Sequence, residues 1–152
     1  MPIDTAKAKA LTLPAHETTI ERGRIRFFAQ SIGETDPVYM DVEAAHAAGH
    51  TDLLVPPTFF FSLELESTDP FAYLSALGVD LRRVLHGEQT FTYATTLYAG
   101  DTVHVRPAIT DVFDKQGGAL EFICKETVYT RSDELIARAT STFIVRNPEV
   151  PR

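Results

Sequence analysis

From residue 84 onward the chain alternates apolar and polar residues with a period of two. Four segments show this alternation, and turns rich in Gly, Asp and Ser separate them: 84–98, 102–114, 119–130 and 135–146. A period of two places successive side chains on opposite faces of a β-strand, and such short turns join antiparallel neighbours. The second half of the chain therefore predicts an antiparallel meander of four strands, in which Pro107 marks an edge or a bulge.

The first half of the chain has helical periodicity instead. An extended piece at residues 15–20 precedes an apolar stripe with the i, i+3, i+4, i+7 spacing of one helix face. Gly33 stands where a glycine typically ends a helix, so a helix is predicted from Arg22 to this residue. Helices followed by strands indicate an α+β fold. The stripe comprises Ile25, Phe28, Ala29 and Ile32.

The stretch from Gly33 to Phe61 is the part of the chain richest in glycine, proline and aromatic residues. Asp41 is a suitable N-cap for a short helix that Gly49 ends. Thr58 follows two prolines and begins a mostly buried helix of about ten residues. A second short helix is predicted to end at Gly78.

The bulk properties indicate one globular domain. The chain has 152 residues, a net charge of −7 and one cysteine. Acidic composition argues against binding to nucleic-acid phosphates, and a lone cysteine excludes an internal disulfide framework. We expect a flexible arm at 1–14, a single domain at 15–146 and a tail at 147–152. The N-terminus lacks the apolar core of a signal peptide and no run is long enough to span a membrane, so a cytoplasmic location is expected.

Two features that could form sites have simpler structural interpretations. Cys124 shares its strand parity with Leu120 and Phe122, which predicts a small buried core residue rather than a catalytic thiol. His46 and His50 are four residues apart, a spacing that two metal ligands on one helix can have. Because Gly49 interrupts the helix between them and no third ligand is evident, no metal site is predicted.

Three segments together resemble a known family. The segments FFAQSIGETDPVYMDVEAAHAAGHTDLLVPPTF, HGEQTFTY and LYAGDTV resemble the MaoC-like hydratases and the FAS1-type (3R)-hydroxyacyl-thioester dehydratase subunits over residues 20–146. The resemblance implies a hot-dog fold, in which an antiparallel sheet wraps a central helix that begins near Thr58, and a dimer of two such units. It also implies syn addition of water to, or its removal from, an acyl thioester of CoA or acyl carrier protein, with no cofactor.

The resemblance places the family's catalytic positions on substituted residues. Its motif runs Gly-Asp-x-Asn-Pro-x-His-x-Asp, in which the Asp and His perform general acid–base catalysis. Here the Asp position holds Glu34, the Asn position holds Asp36 and the His position holds Tyr39. A tyrosine with a pKa near 10 is a poor base at neutral pH. The family's His-Gly before the central helix is Pro56-Pro57 here, which removes two backbone N–H donors.

Three functions therefore remain open. The first is a substrate-binding subunit that lacks the catalytic pair and works in a homodimer or heterodimer with a catalytic hot-dog partner. The second is a self-sufficient enzyme that uses Glu34, Asp36 or His86, and a thioesterase is a weaker variant of it. The third is a non-catalytic module that binds acyl thioesters. The resemblance suggests substrate contacts from Pro57, Thr58, Phe59 and Phe60, and candidate phosphate contacts from Arg82, Arg83, Arg106 and Arg138.

Overall fold

Five strands and five short helices form the part of the chain that the computed structural model describes, residues 2–148. The strands are β1 (His16–Thr19), β2 (Val84–Tyr93), β3 (Thr102–Lys115), β4 (Leu120–Arg131) and β5 (Glu134–Arg146). The helices are α1 (Thr5–Ala10), α2 (Arg22–Ser31), α3 (Val42–Ala47), α4 (Phe59–Glu64) and α5 (Ala72–Ala76). Short 3-10 turns occur at Pro37–Tyr39, Leu81–Arg83 and Gln116–Gly118. The predicted α+β class is confirmed.

The strands form one antiparallel sheet in the order β1-β3-β4-β5-β2. The meander prediction is right for β3, β4 and β5 and wrong for β2, which pairs with β5 instead of β3. The turn at Gly100 is not a hairpin turn between β2 and β3, because its N–H donates to the Ile20 carbonyl at the end of β1 (2.7 Å). The chain between β2 and β3 therefore crosses from one edge of the sheet to the other.

The two edges of the sheet differ in length. β1 pairs with only four residues of β3, from Thr102 to Val105, so Pro107 lies on the uncovered part of β3. A register shift between Ile109 and Asp111 follows. The edge position predicted for Pro107 is therefore confirmed. On the opposite side, β2 bonds to β5 along one flank, and within residues 2–148 no strand pairs with its other flank.

The core lies between the concave face of the sheet and the helices. Around α4, the buried Phe59, Phe60 and Leu63 pack in one cluster with Tyr129 and Ile136 of the sheet. A second cluster joins α1 and α5 to the other end of the sheet through residues that include Ala8, Tyr73, Ile123 and Phe143. No helix within residues 2–148 is long and apolar enough to cross a bilayer.

Two helix predictions need correction. The segment expected as a flexible arm contains α1, which Asp4 caps by accepting from the Lys7 N–H (3.0 Å) and which buries Ala8 completely. A short Ala/Lys-rich helix becomes ordered here because Ala8 packs against β3. The central helix α4 spans only Phe59–Glu64, shorter than the ten or so residues expected. Residues 149–152 of the predicted tail, and Met1, lie outside the described residues.

Two burial predictions are wrong, because neither helical spacing nor strand alternation alone shows which side chains are buried. Ile32 is 53% exposed, although it belongs to the apolar stripe of α2. Cys124 does share a face of β4 with Leu120 and Phe122, but that face is the outer one and the thiol is half-buried. The inner face of β4 carries polar residues among its buried positions: Glu121, Ile123, Lys125, Thr127 and Tyr129. Those polar groups find partners inside the fold, so alternation could not reveal which face is buried.

Candidate functional site

The turn that follows α2 uses its two acidic side chains to cap its own backbone. The Glu34 carboxylate accepts from the N–H groups of Thr35 (2.8 Å) and Asp36 (2.9 Å). Asp36 accepts from the Val38 N–H (3.1 Å) and begins the 3-10 turn. Asp41 then caps α3 through the Glu43 and Ala44 N–H groups, as predicted. These hydrogen bonds hold one carboxylate oxygen of Glu34 and one of Asp36 in the turn.

Tyr39 is the member of this segment that reaches a pocket. Its ring packs against the core beside α4 and lines the pocket described below. Burial, and then the negative charges of Glu34 and Asp36, raise the pKa of the Tyr39 hydroxyl above its usual value. Tyr39 is therefore a neutral phenol at physiological pH, which can donate a hydrogen bond but does not act as a base.

A pocket of about 400 Å³ lies beside the first turn of α4. Its walls come from the 3-10 turn, the strand-like segment before α4, α4 itself and the segment after β2. Ten residues line it: Tyr39, Leu54, Val55, Pro57, Phe60, Tyr93, Ala94, Thr95, Thr96 and Leu97. The lining is largely apolar and contains no carboxylate or imidazole. This pocket is the candidate functional site.

Of the four residues expected to contact substrate at the start of α4, two line the pocket and two do not. Pro57 and Phe60 line the pocket, and the Pro57 carbonyl accepts from the Tyr93 hydroxyl (2.7 Å). Phe59 points into the core, where its ring meets Phe28 edge-on at 5.2 Å. Its N–H donates to the Pro56 carbonyl (3.0 Å).

Thr58 and Phe60 are the other two residues expected to contact substrate. Thr58 is exposed at the N-cap position, and no residue within 2–148 accepts a hydrogen bond from its N–H. Phe60 is held by two edge-on ring contacts, with Tyr93 at 5.6 Å and Tyr129 at 5.1 Å. The Tyr129 hydroxyl also donates to the Phe60 carbonyl (2.9 Å). Phe60 therefore forms a fixed aromatic wall of the pocket, and the Thr58 N–H lies at the adjoining helix start.

His86 lies elsewhere, on β2. Its ring is stacked between Phe61 (5.1 Å) and Phe143 (5.4 Å), and its Nε2 lies 3.2 Å from Oε1 of Gln89. The strand bulges at Gly87, where an added Cβ would lie 2.7 Å from Cδ1 of Ile144. His86 is not among the residues that line the pocket with Tyr39. Within one chain, the structure does not assemble His86 with the motif segment.

The two histidines in and just after α3 have separate partners. Nε2 of His46 lies 3.1 Å from the Thr51 carbonyl, and Nδ1 of His50 lies 3.2 Å from the Tyr98 hydroxyl. Thr96 also donates to that hydroxyl (3.0 Å), so His50 supports the segment that forms one wall of the pocket. Among residues 2–148, no group of three or more His, Cys, Asp or Glu side chains is placed to hold a metal ion.

Comparison with known proteins identifies the family. The family model described as "FAS1-like, dehydratase domain region" matches residues 11–139. The chain belongs to this FAS1-like dehydratase family. A Streptomyces griseus relative, known as a UPF0336 protein, is 37% identical over 136 residues, which cover 90% of this chain and 89% of the relative. The family resemblance seen in the sequence is confirmed.

Solved structures confirm the hot-dog fold of this FAS1-like family member. Two come from Mycobacterium tuberculosis. The HadBC (3R-hydroxyacyl-ACP dehydratase) complex aligns with a TM-score of 0.74 at 24% identity, over 88% of this chain and 92% of that one. The ChsH1-ChsH2 complex aligns with a TM-score of 0.77 at 23% identity, over 96% of this chain and 90% of that one. A MaoC-like dehydratase aligns with a TM-score of 0.78 at 18% identity, over 93% of this chain and 44% of that one. At these identities the likeness is one of fold.

Sequence reasoning missed part of the site of this FAS1-like protein. Tyr93 and the segment 94–97 form half of the pocket wall, whereas alternation predicts only a continuing strand there. The strand in fact ends at Tyr93, and the Leu97 carbonyl then accepts from the Val55 N–H (2.9 Å), which places this segment beside the residues before α4. Two of the arginines proposed for phosphate contacts are paired: Arg82 with Asp80 (2.7 Å) and Arg138 with Glu126 (3.0 Å).

Proposed function

We propose that this protein is the substrate-binding subunit of a (3R)-hydroxyacyl-thioester dehydratase or enoyl-thioester hydratase, and that it works with a catalytic hot-dog partner. One observation carries the proposal. Of residues 33–41, which match the family's catalytic motif, only Tyr39 lines the apolar pocket beside α4, while Glu34 and Asp36 each accept backbone N–H groups of the turn. The site can enclose an acyl group, but it has no side chain suited to move a proton at neutral pH.

The pocket suits the acyl part of a thioester. A volume of about 400 Å³ lies within the range that small-molecule sites occupy, roughly 300–1,000 Å³. Phe60 and Leu97 supply apolar surface, and Tyr39 in the lining carries a protonated hydroxyl that can donate a hydrogen bond. A thioester carbonyl held in this pocket would accept a hydrogen bond from that hydroxyl.

The uncovered flank of β2 supports a partner of the same fold. The strand is ten residues long, alternate residues direct their backbone N–H and C=O groups to this edge, and Leu85 is 51% exposed. Exposed edges of this length favour pairing with another strand. The HadBC and ChsH1-ChsH2 structures are complexes of two chains.

The self-sufficient alternative has less support. It requires Glu34, Asp36 or His86 to reach bound substrate, and the pocket lining includes none of the three. His86 would have to leave its stack between Phe61 and Phe143. The alternative predicts that Glu34→Gln, Asp36→Asn or His86→Asn abolishes turnover by the isolated chain.

Binding without turnover is the direct test. The isolated chain is titrated with crotonyl-CoA by calorimetry, and hydration is followed in the same sample. Saturable binding that Phe60→Ala weakens at least about tenfold, with no hydration above background, is the expected result. Phe27→Ala is a matched control, because Phe27 is 74% exposed on α2 and outside the pocket. Absence of binding, or turnover lost in the His86→Asn variant, would contradict the proposal.

A further inference from the structure

A buried ion pair lies at the other end of α4, away from the candidate site. Glu64, the last residue of α4, and Lys125, on the inner face of β4, form a salt bridge in which each side chain is only 4% exposed. The second carboxylate oxygen of Glu64 accepts from the Thr127 hydroxyl (2.7 Å). Both oxygens of Glu64 are therefore used, whereas the Lys125 ammonium has two further N–H groups.

Tyr73 of α5 lies against this pair with an unsatisfied hydroxyl. Its ring is 5.2 Å from Nζ of Lys125, and the residue is 6% exposed. No residue within 2–148 makes a hydrogen bond to its buried hydroxyl. Burial, and then the charge of Glu64, raise the pKa of this hydroxyl strongly, so it keeps its proton. A buried donor without a partner destabilises a fold, and phenylalanine at this position would avoid that cost.

A pocket of about 150 Å³ opens at these residues. Glu64, Tyr73 and Lys125 form its polar wall, and the loop 11–14 and Pro107 lie on the apolar side. It shares no lining residue with the pocket at Tyr39. An apolar cavity of roughly 150 Å³ holds a molecule the size of benzene, so this pocket can accept a group of about six heavy atoms.

The charges around the pocket select a neutral ligand. Glu64 and Lys125 cancel each other, and Asp69 adds a further negative charge at the rim. An anion would therefore meet two carboxylates and one ammonium. Among the buried groups of the wall, the Tyr73 hydroxyl and the Lys125 ammonium still have hydrogen-bonding capacity. Both can donate, so they suit an acceptor oxygen.

We propose that this second pocket binds a neutral carbonyl or hydroxyl oxygen carried on a small apolar body, with Tyr73 and Lys125 as the hydrogen-bond donors. The oxygen can belong to a free small molecule or to the far end of an acyl chain whose thioester lies at the start of α4. Only the second source rests on the proposed function. The six residues of α4 span roughly 9 Å, so a chain of about eight carbons could reach from one end to the other.

Cyclohexanone is a suitable probe, and methylenecyclohexane is its match without the oxygen. In a titration of the full chain followed by ¹H–¹⁵N NMR, cyclohexanone should shift the amides of Tyr73 and Lys125 saturably. The hydrocarbon should bind at least about tenfold more weakly, the effect of one or two neutral hydrogen bonds. Equal affinity for the two probes, or no saturable shift with cyclohexanone, overturns the proposal.

Tyr73→Phe separates a ligand donor from a purely structural residue. The variant should fold with a higher Tm, since it loses an unsatisfied buried hydroxyl, and should bind cyclohexanone about tenfold more weakly than the wild type. Tyr98→Phe removes a hydroxyl outside both pockets and should leave cyclohexanone binding unchanged. A Tyr73→Phe protein that binds cyclohexanone like the wild type, or a crystal structure in which ordered water satisfies Tyr73 and cyclohexanone does not displace it, overturns the proposal.

Competition distinguishes the two sources of the oxygen. If 8-hydroxyoctanoyl-CoA displaces cyclohexanone and octanoyl-CoA does not, the pocket recognises the end of an acyl chain. If neither thioester displaces cyclohexanone, the pocket binds a free small molecule, and the inference does not depend on the proposed function. Failure of cyclohexanone itself to bind rejects the second pocket and leaves the thioester assay at the first pocket unaffected.

Discussion

The Lys125–Glu64 pair is buried, so a single substitution leaves an uncompensated charge in the core. Lys125→Met leaves the Glu64 carboxylate buried with only Thr127 as a partner. Breaking such a pair by removing one member typically lowers the free energy of unfolding by about 3–5 kcal/mol. Urea unfolding of the variant should show a loss of this size.

Two comparisons make this measurement specific. The double variant Lys125→Met/Glu64→Gln should recover most of the loss, because no uncompensated charge remains in the core. Lys9→Met breaks the exposed pair with Asp111 (3.0 Å) and should change stability only slightly. If Lys125→Met and Lys9→Met lower the free energy of unfolding equally, the Lys125–Glu64 pair is not buried in solution.

Two buried tyrosines should make stability depend on alkaline pH. Burial raises the pKa of the Tyr73 and Tyr129 hydroxyls far above the value near 10 of an unfolded chain. Above pH ~10 the unfolded tyrosines lose protons that the folded ones keep, so the free energy of unfolding falls as pH rises. Each contributes a slope of about 1.4 kcal/mol per pH unit.

Tyr73→Phe isolates one of these contributions. Its free energy of unfolding is measured in urea between pH ~10 and ~11.5. With rising pH it should fall less steeply than that of the wild type, by about 1.4 kcal/mol per pH unit, because one fewer proton is released on unfolding. Below pH ~9 the two proteins should show the same pH dependence. Parallel curves in the alkaline range would mean that Tyr73 ionises alike in the folded and unfolded states.

Sequence alone could not reveal these residue-scale features. Lys125 and Glu121 point inward on β4 because each finds a polar partner there. Lys125 pairs with Glu64 of α4. Glu121 accepts from the Ile3 N–H (2.5 Å) and from the Asn147 side-chain amide (2.7 Å), near the two termini. Such contacts join residues far apart in the chain. Local caps were predictable, as at Asp41, because donor and acceptor lie two or three residues apart.

Among the elements, β2 is the edge strand on which the proposed partner contact rests. Its boundaries were predicted approximately from alternation, but its neighbour was not, because alternation does not encode strand order. If the uncovered flank pairs with a partner, Leu85→Lys should weaken association at least about tenfold, since a charge on an edge strand opposes pairing. Analytical ultracentrifugation across a concentration series measures this shift.

Leu81→Lys provides the control for the edge of β2. Leu81 is 53% exposed and Leu85 51%, so the two substitutions add the same charge at similar exposure. Leu81 precedes the strand in a 3-10 turn, so its variant should associate like the wild type. Equal weakening by both variants would indicate a general charge effect and would remove β2 from the interface.

The whole molecule is a hot-dog domain whose family could be recognised from the motif between Gly33 and Phe61. The motif predicted the correct caps and the correct start of α4, because these depend on local backbone chemistry. It could not predict the pocket, since half of the wall comes from residues 93–97 on the far side of α4. Nor could it show that the carboxylates of Glu34 and Asp36 bond to the turn.

Turnover by the isolated chain, compared with turnover by its complex, tests the central claim most directly. The chain is assayed for crotonyl-CoA hydration alone and after assembly with a hot-dog partner that keeps the Asp and His of the family motif. We predict a rate for the isolated chain at least about 10²-fold below that of the complex, since each missing acid–base role lowers the rate by roughly 10²–10⁴-fold. A chain that hydrates crotonyl-CoA as fast alone as in the complex would contradict this claim.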